Sequence, residues 1–248
     1  MEKIELLVFY GNSHKNMFLN YFLPTYNLFL AENFYLNHIN INEDRGFTWG
    51  TKAFNIFVRK KVKIIYDRLL SKKDGEFLLY SDVDIIFLEN ISDRLSLEMG
   101  DNDIVFSRDY NKWISYNSYC TGFMLIRKSQ KIIDMFKELL DRYVNDKDDQ
   151  DLMNVIIKEF CDIKYTFLSD YFFNIPLIEV SGKLGFLGVV LKEMNMSYKD
   201  KPGIAETIFK VAKQDKRGLF HANFLKGVED KEFILEIVKN VFLPHLKF

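Results

Sequence analysis

The chain has 248 residues, 48% hydrophobic and 16% aromatic, so it can bury a large core and is not intrinsically disordered. Its 34 basic residues balance 35 acidic ones, and the net charge of -1 disfavours a nucleic-acid partner. No apolar run is long enough to cross a membrane, and the N-terminus is too strand-like for a signal peptide. With two cysteines, we predict a cytoplasmic protein in which Cys120 and Cys161 are small core residues.

The first predicted element is a buried strand over Ile4–Tyr10, which ends in a Gly-Asn-Ser turn. A helix follows from about Lys15 to Phe29, and Pro24 should kink or split it. In open α/β sheets, ligands bind beyond the carboxyl ends of strands. The turn is therefore a candidate nucleotide-binding segment, although an ordinary turn explains it equally well; its residues are Tyr10, Gly11, Asn12 and Ser13.

A second strand over 34–41 and a helix over Lys52–Leu70 lead to a third strand that starts at Phe77. This alternation of strands and helices predicts a doubly wound α/β fold. The helix contains the basic run Arg59-Lys60-Lys61-Val62-Lys63, which we interpret as its solvated face.

The third strand runs into an Asp-Val-Asp sequence, followed by a further apolar run over 85–88. If the backbone stays extended, Asp82 and Asp84 point to the same side, roughly 6.6 Å apart. At that distance the two carboxylates repel by about 2.5 kcal/mol, and a hard divalent cation would turn the repulsion into attraction. Two solvated acids in a turn are the alternative interpretation.

Beyond this motif, the pattern predicts strands over 103–107 and 120–127, separated by a long aromatic loop over 108–119. Helices are predicted over 131–143 and 152–160. Asp148 and Asp149 precede the second helix, where acids commonly act as caps.

The last third contains a predicted strand over 163–168, a hairpin or bent strand over 177–191, and a helix over 204–213. A final strand over 219–223 delivers His221 at its end, before a helix over 232–242. A single histidine after apolar residues is more often structural than functional. Imidazole together with carboxylates nevertheless suits a Mn²⁺-type site.

Four segments together resemble the nucleotide-diphospho-sugar transferases of the GT-A glycosyltransferase fold, and most closely the family that includes plant cell-wall xylosyl- and arabinosyltransferases. The segments are Tyr80-Ser81-Asp82-Val83-Asp84-Ile85-Ile86-Phe87-Leu88, Thr121-Gly122-Phe123-Met124-Leu125-Ile126-Arg127, Asp149-Gln150, and His221-Ala222-Asn223-Phe224 with Gly227 and Lys231. The resemblance implies a Rossmann-like, mixed sheet with helices on both faces. It also implies one domain, with a nucleotide-binding half over about 1–110 and an acceptor-binding half over about 111–248.

The resemblance also implies roles for individual residues. The metal, Mn²⁺ or Mg²⁺, would be held by Asp82, Asp84 and His221. The nucleotide would be bound by Tyr10, Gly11, Asn12, Ser13, Lys61, Ser81, Val83, Lys226 and Gly227. The donor sugar or acceptor would face Thr121, Gly122, Asp149, Gln150 and Asn223.

The implied reaction is transfer of a hexose or pentose from a nucleoside-diphosphate donor, UDP-linked in preference to GDP-linked, to a carbohydrate or glycoconjugate acceptor. Retention of the anomeric configuration is expected; if the enzyme inverts, Asp149 is the candidate general base. Two alternatives remain open at this point. A haloacid-dehalogenase-type phosphatase also places Asp-X-Asp after a strand, and a Ca²⁺-dependent carbohydrate-binding module could use the same acids.

Overall fold

The computed structural model describes residues 2–42, 51–111, 115–143, 148–172, 177–180, 183–186, 217–222 and 227–244. The chain forms two compact units, and each unit is made of three separate segments of the sequence. Unit 1 comprises Met1–Ser13, Ala31–Asp82 and Ser92–Ser169, and unit 2 comprises His14–Leu30, Val83–Ile91 and Asp170–Phe248.

Unit 1 contains a mixed sheet with helices. Its strands are β1 (Ile4–Tyr10), β2 (Phe34–Asn40), β3 (Phe77–Ser81), β5 (Ile104–Asn111), β6 (Ser115–Arg127) and β7 (Tyr165–Phe167). Its helices are α3 (Lys52–Leu70), α4 (Ser92–Met99), α5 (Gln130–Asp141) and α6 (Asp149–Ile156).

The six strands lie in the order β2-β1-β3-β6-β5-β7. The pairs β1–β2, β1–β3 and β5–β7 are parallel, whereas β6 is antiparallel to both of its neighbours. The carboxyl ends of β1, β2 and β3 therefore meet at one edge of the sheet, where this class of fold binds ligands.

Both faces of this sheet are buried, as expected for strands that read as continuous apolar runs. One face carries Leu7, Leu78, Ile104 and Met124, and it packs against apolar residues of α3, α5 and α6. The opposite face carries residues that are also at most 2% exposed: Leu6, Val8, Leu79, Val105 and Leu125. The predicted α/β class with a mixed sheet is confirmed.

Each of the three packed helices begins at a side-chain cap, which satisfies a backbone N–H that has no partner inside the helix. The Thr51 hydroxyl accepts a hydrogen bond from the Phe54 amide at the start of α3. Ser129 does the same for α5 and Asp148 for α6. Helix α6 therefore begins three residues earlier than predicted, at Asp149.

The prediction of an aromatic loop over 108–119 is wrong for the residues of this stretch that the structure describes. Strand β5 continues to Asn111 and β6 begins at Ser115, and the two pair as antiparallel strands with register shifts. Tyr119 packs between the rings of Phe106, Tyr165 and Phe167. Trp113 lies outside the described residues.

Unit 2 begins at His14, the last residue of a helical turn over Asn12–His14. The helical segment continues as α1 (Lys15–Met17), a π-helical turn (Phe18–Phe22) and α2 (Leu23–Phe29). The irregularity comes directly before Pro24, which has no N–H for the preceding turn. Thr25 is buried here; its hydroxyl donates to the Tyr21 and Phe22 carbonyls and accepts from the Phe87 amide. The predicted irregularity at Pro24 thus takes the form of a π-helical turn, and the helix does not split, because Met17, Phe22 and Leu23 keep helical dihedral angles.

The other elements of unit 2 are β4 (Ile85–Phe87), β8 (Leu177–Val180), β9 (Lys183–Phe186), β10 (Leu219–His221) and α7 (Val228–Phe242). Strands β4 and β10 are antiparallel, and β8 and β9 form the predicted hairpin. Apolar residues of α7 pack with Ile86, Phe220 and Met17. The helix predicted over 204–213 lies outside the described residues.

Two further expectations, on the cysteines and on membrane spans, can be compared with the structure. Cys120 is buried as predicted, but Cys161 is exposed, because it lies in the turn after α6. Within the described residues, no helix is both long and apolar enough to span a membrane. The cytoplasmic location and the functional halves over about 1–110 and 111–248 stay predictions.

Glu5 of β1 is a buried carboxylate, 1% exposed, that is surrounded by donors. Tyr35, Asn37 and Arg68 donate hydrogen bonds to it, and the Lys72 ammonium group lies 2.8 Å from Oε2. Burial alone would raise the pKa of Glu5, but Lys72 and the other donors outweigh it and hold the pKa below its ordinary value.

We predict that Glu5→Gln lowers the free energy of unfolding at pH 7 by about 3 kcal/mol, because Lys72 and Arg68 lose their counter-ion. A depressed pKa contributes stability above the unfolded value of about 4.3, and this contribution is lost as the pH falls. The difference between wild type and variant should therefore narrow below pH 4. Denaturant unfolding of wild type and variant at pH 7 and below pH 4 measures both free-energy differences.

The matched control is Glu159→Gln, which removes an exposed ion pair with Arg142. It should cost less than about 1 kcal/mol. Two results would contradict the assigned role of Glu5. One is an equal loss of unfolding free energy in both variants, and the other is a difference between wild type and Glu5→Gln that does not change with pH.

Candidate active site

The chain bends at Asp-Val-Asp instead of continuing as a strand. Strand β3 ends at Ser81 in the sheet of unit 1, and β4 begins at Ile85 in a different sheet. The Asp82 amide donates a hydrogen bond to the Gly122 carbonyl, which anchors the end of β3. The extended backbone from which a spacing of roughly 6.6 Å was expected is therefore not formed, since the chain bends between the two acids.

Asp84 is 3% exposed and forms the centre of a cluster within unit 2. Its Oδ1 lies 3.0 Å from Nε2 of His221, and its Oδ2 lies 2.5 Å from Nζ of Lys231. Pairing of β4 with β10 places Ile85 opposite His221, and the Ala222 amide donates to the Asp84 carbonyl. The sheet register thus brings His221 to Asp84 across 137 residues of sequence.

The charge state of Asp84 follows from these partners. Burial favours the neutral carboxyl and opposes ionisation, but Lys231 and His221 outweigh it and hold the pKa of Asp84 far below its usual range. Asp84 is therefore an ionised carboxylate in a nearly dry environment, which is the form in which it can bind a cation.

Asp82 precedes Asp84 by two residues, so the chain itself keeps the two acids close. One ligand atom from each of Asp82, Asp84 and His221 lies within 4.8 Å of the others. Two carboxylates and an imidazole are the ligand types that suit Mn²⁺ and Mg²⁺. The three residues that the sequence assigns to the metal are thus brought together, and their donor set fits such an ion.

Within unit 1, Lys61 of α3 is paired with Asp149, the first residue of α6. Lys61 Nζ lies 2.5 Å from Asp149 Oδ2, and both side chains are about 5% exposed. Thr121 of β6 donates to the same oxygen, Asp149 Oδ2, at 2.8 Å. Asp82 Oδ1 lies 3.8 Å from Lys61 Nζ.

This cluster corrects two sequence interpretations. Lys61 is not on the solvated face of its helix. It is buried and lies on the same helix face as Val58 and Ile65, which are one turn away on either side and are also buried. Asp148 is the cap of α6, whereas Asp149 is buried in an ion pair. Despite burial, Asp149 and Asp82 raise the pKa of Lys61 above its ordinary value, so the amine is protonated.

Tyr80 and Lys231 are two site residues to which the sequence assigned no role. The Tyr80 hydroxyl donates to Asp82 Oδ1 at 2.7 Å. Because residues two apart in a strand share a side, the Tyr80–Asp82 spacing was a usable signal. Lys231 was noted only as part of a motif, and no local pattern points from α7 to Asp84.

The candidate nucleotide-binding segment follows β1. The Tyr10 hydroxyl lies 3.2 Å from Nδ1 of His38, and Asn40 donates to the Asn12 side chain at 3.1 Å. These contacts join the carboxyl ends of β1 and β2. The structure thus adds His38 and Asn40 to this end of the sheet, which the sequence analysis did not single out.

The remaining predicted site residues are distributed as follows. Ser81 and Val83 are buried on either side of Asp82, and Gly122 accepts its amide hydrogen bond. The backbone carbonyl of Gln150 accepts from Asn154 within α6, and Gly227 is the residue before α7. Asn223 and Lys226 lie outside the described residues. The roles assigned to these residues stay predictions.

A profile described as nucleotide-diphospho-sugar transferase matches residues 30–235. The chain belongs to this family. No match was found among curated proteins.

Several solved glycosyltransferase structures share the fold of this transferase. GlyE of Streptococcus pneumoniae TIGR4 is 15% identical with a TM-score of 0.56, over 100% of this chain and 65% of that one. A glycosyltransferase involved in glycosylation of the major capsid of PBCV-1 is 13% identical (TM-score 0.55; 95% and 100% of the two chains). An active-site mutant of LgtC is 12% identical (TM-score 0.52; 96% and 96%). The chain thus spans 65% of the length of GlyE.

The family match decides between the alternatives that the sequence left open. It favours a transferase over the dehalogenase-type phosphatase and the Ca²⁺-dependent binding module, and the GT-A type fold is confirmed. The closer similarity to plant xylosyl- and arabinosyltransferases stays a prediction.

Gly218 supports the strand that carries His221. Its amide donates to the Tyr171 carbonyl, and its carbonyl accepts from the Leu88 amide. A Cβ atom at this position would lie 2.3 Å from Tyr171 Cε1 and 2.7 Å from Ile91 Cγ2. The close packing of unit 2 around the start of β10 therefore requires glycine.

We predict that Gly218→Ala lowers the free energy of unfolding by about 1–3 kcal/mol through overpacking. Denaturant unfolding measures the change. Gly227→Ala is the control, because its Cβ would meet nothing closer than 3.6 Å, and it should cost less than about 1 kcal/mol. Equal stability of the two variants would contradict the packing argument.

Proposed function

We propose that the protein transfers a sugar from a nucleoside-diphosphate donor to a hydroxyl of a glycan or other acceptor, and that it requires Mn²⁺ or Mg²⁺. A UDP-sugar is the favoured donor and a GDP-sugar the second candidate. The observation that carries the proposal is the convergence of Asp82, Asp84 and His221, within 4.8 Å, in a chain of this family.

The charges of these residues support a metal-dependent reaction. Asp84 is buried and ionised, so it can hold a cation without first losing a proton. Lys231 places a further positive charge 2.5 Å from Asp84. A divalent cation bound there would supply charge to the departing diphosphate, while Lys231 contributes from the protein.

The carboxyl ends of β1 and β2 support the location of the nucleotide. Tyr10 and His38 form one aromatic contact there, with ring centroids 6.2 Å apart and nearly parallel planes. Asn12 and Asn40 add amide donors and acceptors of the kind that read a base or ribose. This end of the sheet therefore places the exposed His38 imidazole and two amide side chains together, beside the buried ring of Tyr10.

Asp149 supports retention of the anomeric configuration. A general base must accept a proton from the acceptor hydroxyl. Asp149 Oδ2 already accepts from Thr121 and faces the Lys61 ammonium group, and the residue is 4% exposed. This carboxylate is occupied as an internal partner, so we assign it to positioning and not to base catalysis.

The first prediction of this proposal concerns ligand binding. UDP or a UDP-sugar with Mn²⁺ should raise the midpoint of thermal unfolding of the wild-type protein, because a ligand of the folded state stabilises it. The same nucleotide with chelator should give little shift. Asp84→Ala should abolish the Mn²⁺-dependent shift, since it removes the central cation-binding carboxylate.

Asp134→Ala is the matched control, because Asp134 is an exposed acid on α5 that accepts a hydrogen bond from Gln130. It should behave as wild type. A shift with GDP-sugars alone would change the assigned donor, whereas a metal-independent shift in Asp84→Ala would contradict the assigned metal site.

The second prediction concerns stereochemistry. With an α-linked UDP-sugar and an accepted acceptor, the initial product should be the α-anomer, because Asp149 is not free to act as a base. Proton NMR of the first turnovers identifies the anomer from its coupling constants. An initial β-anomer would show inversion and return Asp149 to the role of base.

A further inference from the structure

Lys61 is a buried cation, 4% exposed, that is surrounded by the oxygens of three other residues. Its Nζ lies 2.5 Å from Asp149, 3.4 Å from Thr121 and 3.8 Å from Asp82. An ammonium group has three hydrogens and no acceptor. Asp149 and Thr121 lie within hydrogen-bonding distance of the ammonium group, and Asp82 forms a longer ion pair with it.

The residues around Lys61 come from four separate elements of unit 1. Lys61 is on α3, Asp82 follows β3, Thr121 is on β6 and Asp149 begins α6. The Tyr80 ring lies below the ammonium group, 5.3 Å from Nζ, and its hydroxyl bonds to Asp82. The ammonium group is thus the point at which two acids of the candidate site are held together.

We propose that Lys61 is a positioning residue that holds Asp82 and Asp149 in one arrangement and offsets part of the charge with which Asp82 attracts a divalent cation. This inference rests on the proposed metal-dependent transferase function. It differs from a donor-binding role for Lys61, because the residue acts through Asp82 and Asp149 instead of touching the nucleotide.

The proposal predicts effects of opposite sign on metal binding and on turnover. Without the ammonium group, Asp82 carries an unopposed charge and binds a cation more tightly. The same loss leaves Asp149 without its main partner, so the acids no longer keep their arrangement and turnover falls. A merely structural lysine would weaken both properties together.

The test uses the full chain with Lys61→Met, which keeps the side-chain length and removes the charge. Free Mn²⁺ is measured by electron paramagnetic resonance with the metal alone, without nucleotide. We expect Mn²⁺ to bind about tenfold more tightly than to wild type. The reason is that the Lys61 ammonium group, 3.8 Å from Asp82, no longer repels the cation that Asp82 binds. Turnover of the donor with Mn²⁺ should fall at least about tenfold.

A second variant keeps the proposal testable if Lys61→Met alone does not fold, because that change leaves Asp149 buried without its cation. In Lys61→Met/Asp149→Asn both members of the pair are neutral, so the thermal midpoint should return towards that of wild type. Mn²⁺ should still bind more tightly and turnover should stay low, because Asp82 remains without Lys61.

The possible results distinguish a failure of the metal-dependent function from a failure of the role proposed for Lys61. If wild type shows no Asp84-dependent Mn²⁺ binding, the metal-dependent function fails and this proposal fails with it. If wild type binds Mn²⁺ but the folded variants bind it equally or more weakly, the proposal alone is overturned. Normal turnover in the double variant would also overturn it.

Discussion

Burial of ionised carboxylates is the constraint on which this structure depends. Among the described residues, every buried acid is paired with a lysine from a distant part of the chain. The pairs are Glu5 with Lys72, Asp84 with Lys231, Asp103 with Lys131, and Asp149 with Lys61. A carboxylate removed from water without such a partner would become protonated or would strongly destabilise the fold.

The position of a pair in the sheet of unit 1 distinguishes support from chemistry. Glu5 and Asp103 lie at the amino ends of β1 and β5, where their oxygens are taken up by several protein donors. Asp82, in contrast, follows the carboxyl end of β3, and its side chain is 33% exposed. Acid–lysine pairs therefore stabilise the amino ends of the strands, whereas at the carboxyl ends the acid that contacts a lysine remains accessible to a ligand.

Local sequence patterns predicted the elements well, because strands and helices depend on nearby residues. The bounds of α3 follow from periodicity, and the irregular helix before Pro24 follows from the missing proline N–H. The orientation of Lys61 was also present in the spacing from Val58 to Ile65, but its charge suggested exposure. The buried partner that makes this position favourable, Asp149, is 88 residues away and could not be read from the helix.

The two acids of the Asp-Val-Asp sequence differ in a way that only the fold could reveal. Asp84 is 5% exposed at its side chain and has one contact at each oxygen, with His221 and with Lys231, whereas Asp82 is 33% exposed and bonded by Tyr80. The bend between β3 and β4 produces this difference, because it leaves the first acid at the end of one sheet and carries the second into another. Asp84 therefore provides a fixed, dry charge, and Asp82 is the carboxylate that a cation can approach from solvent.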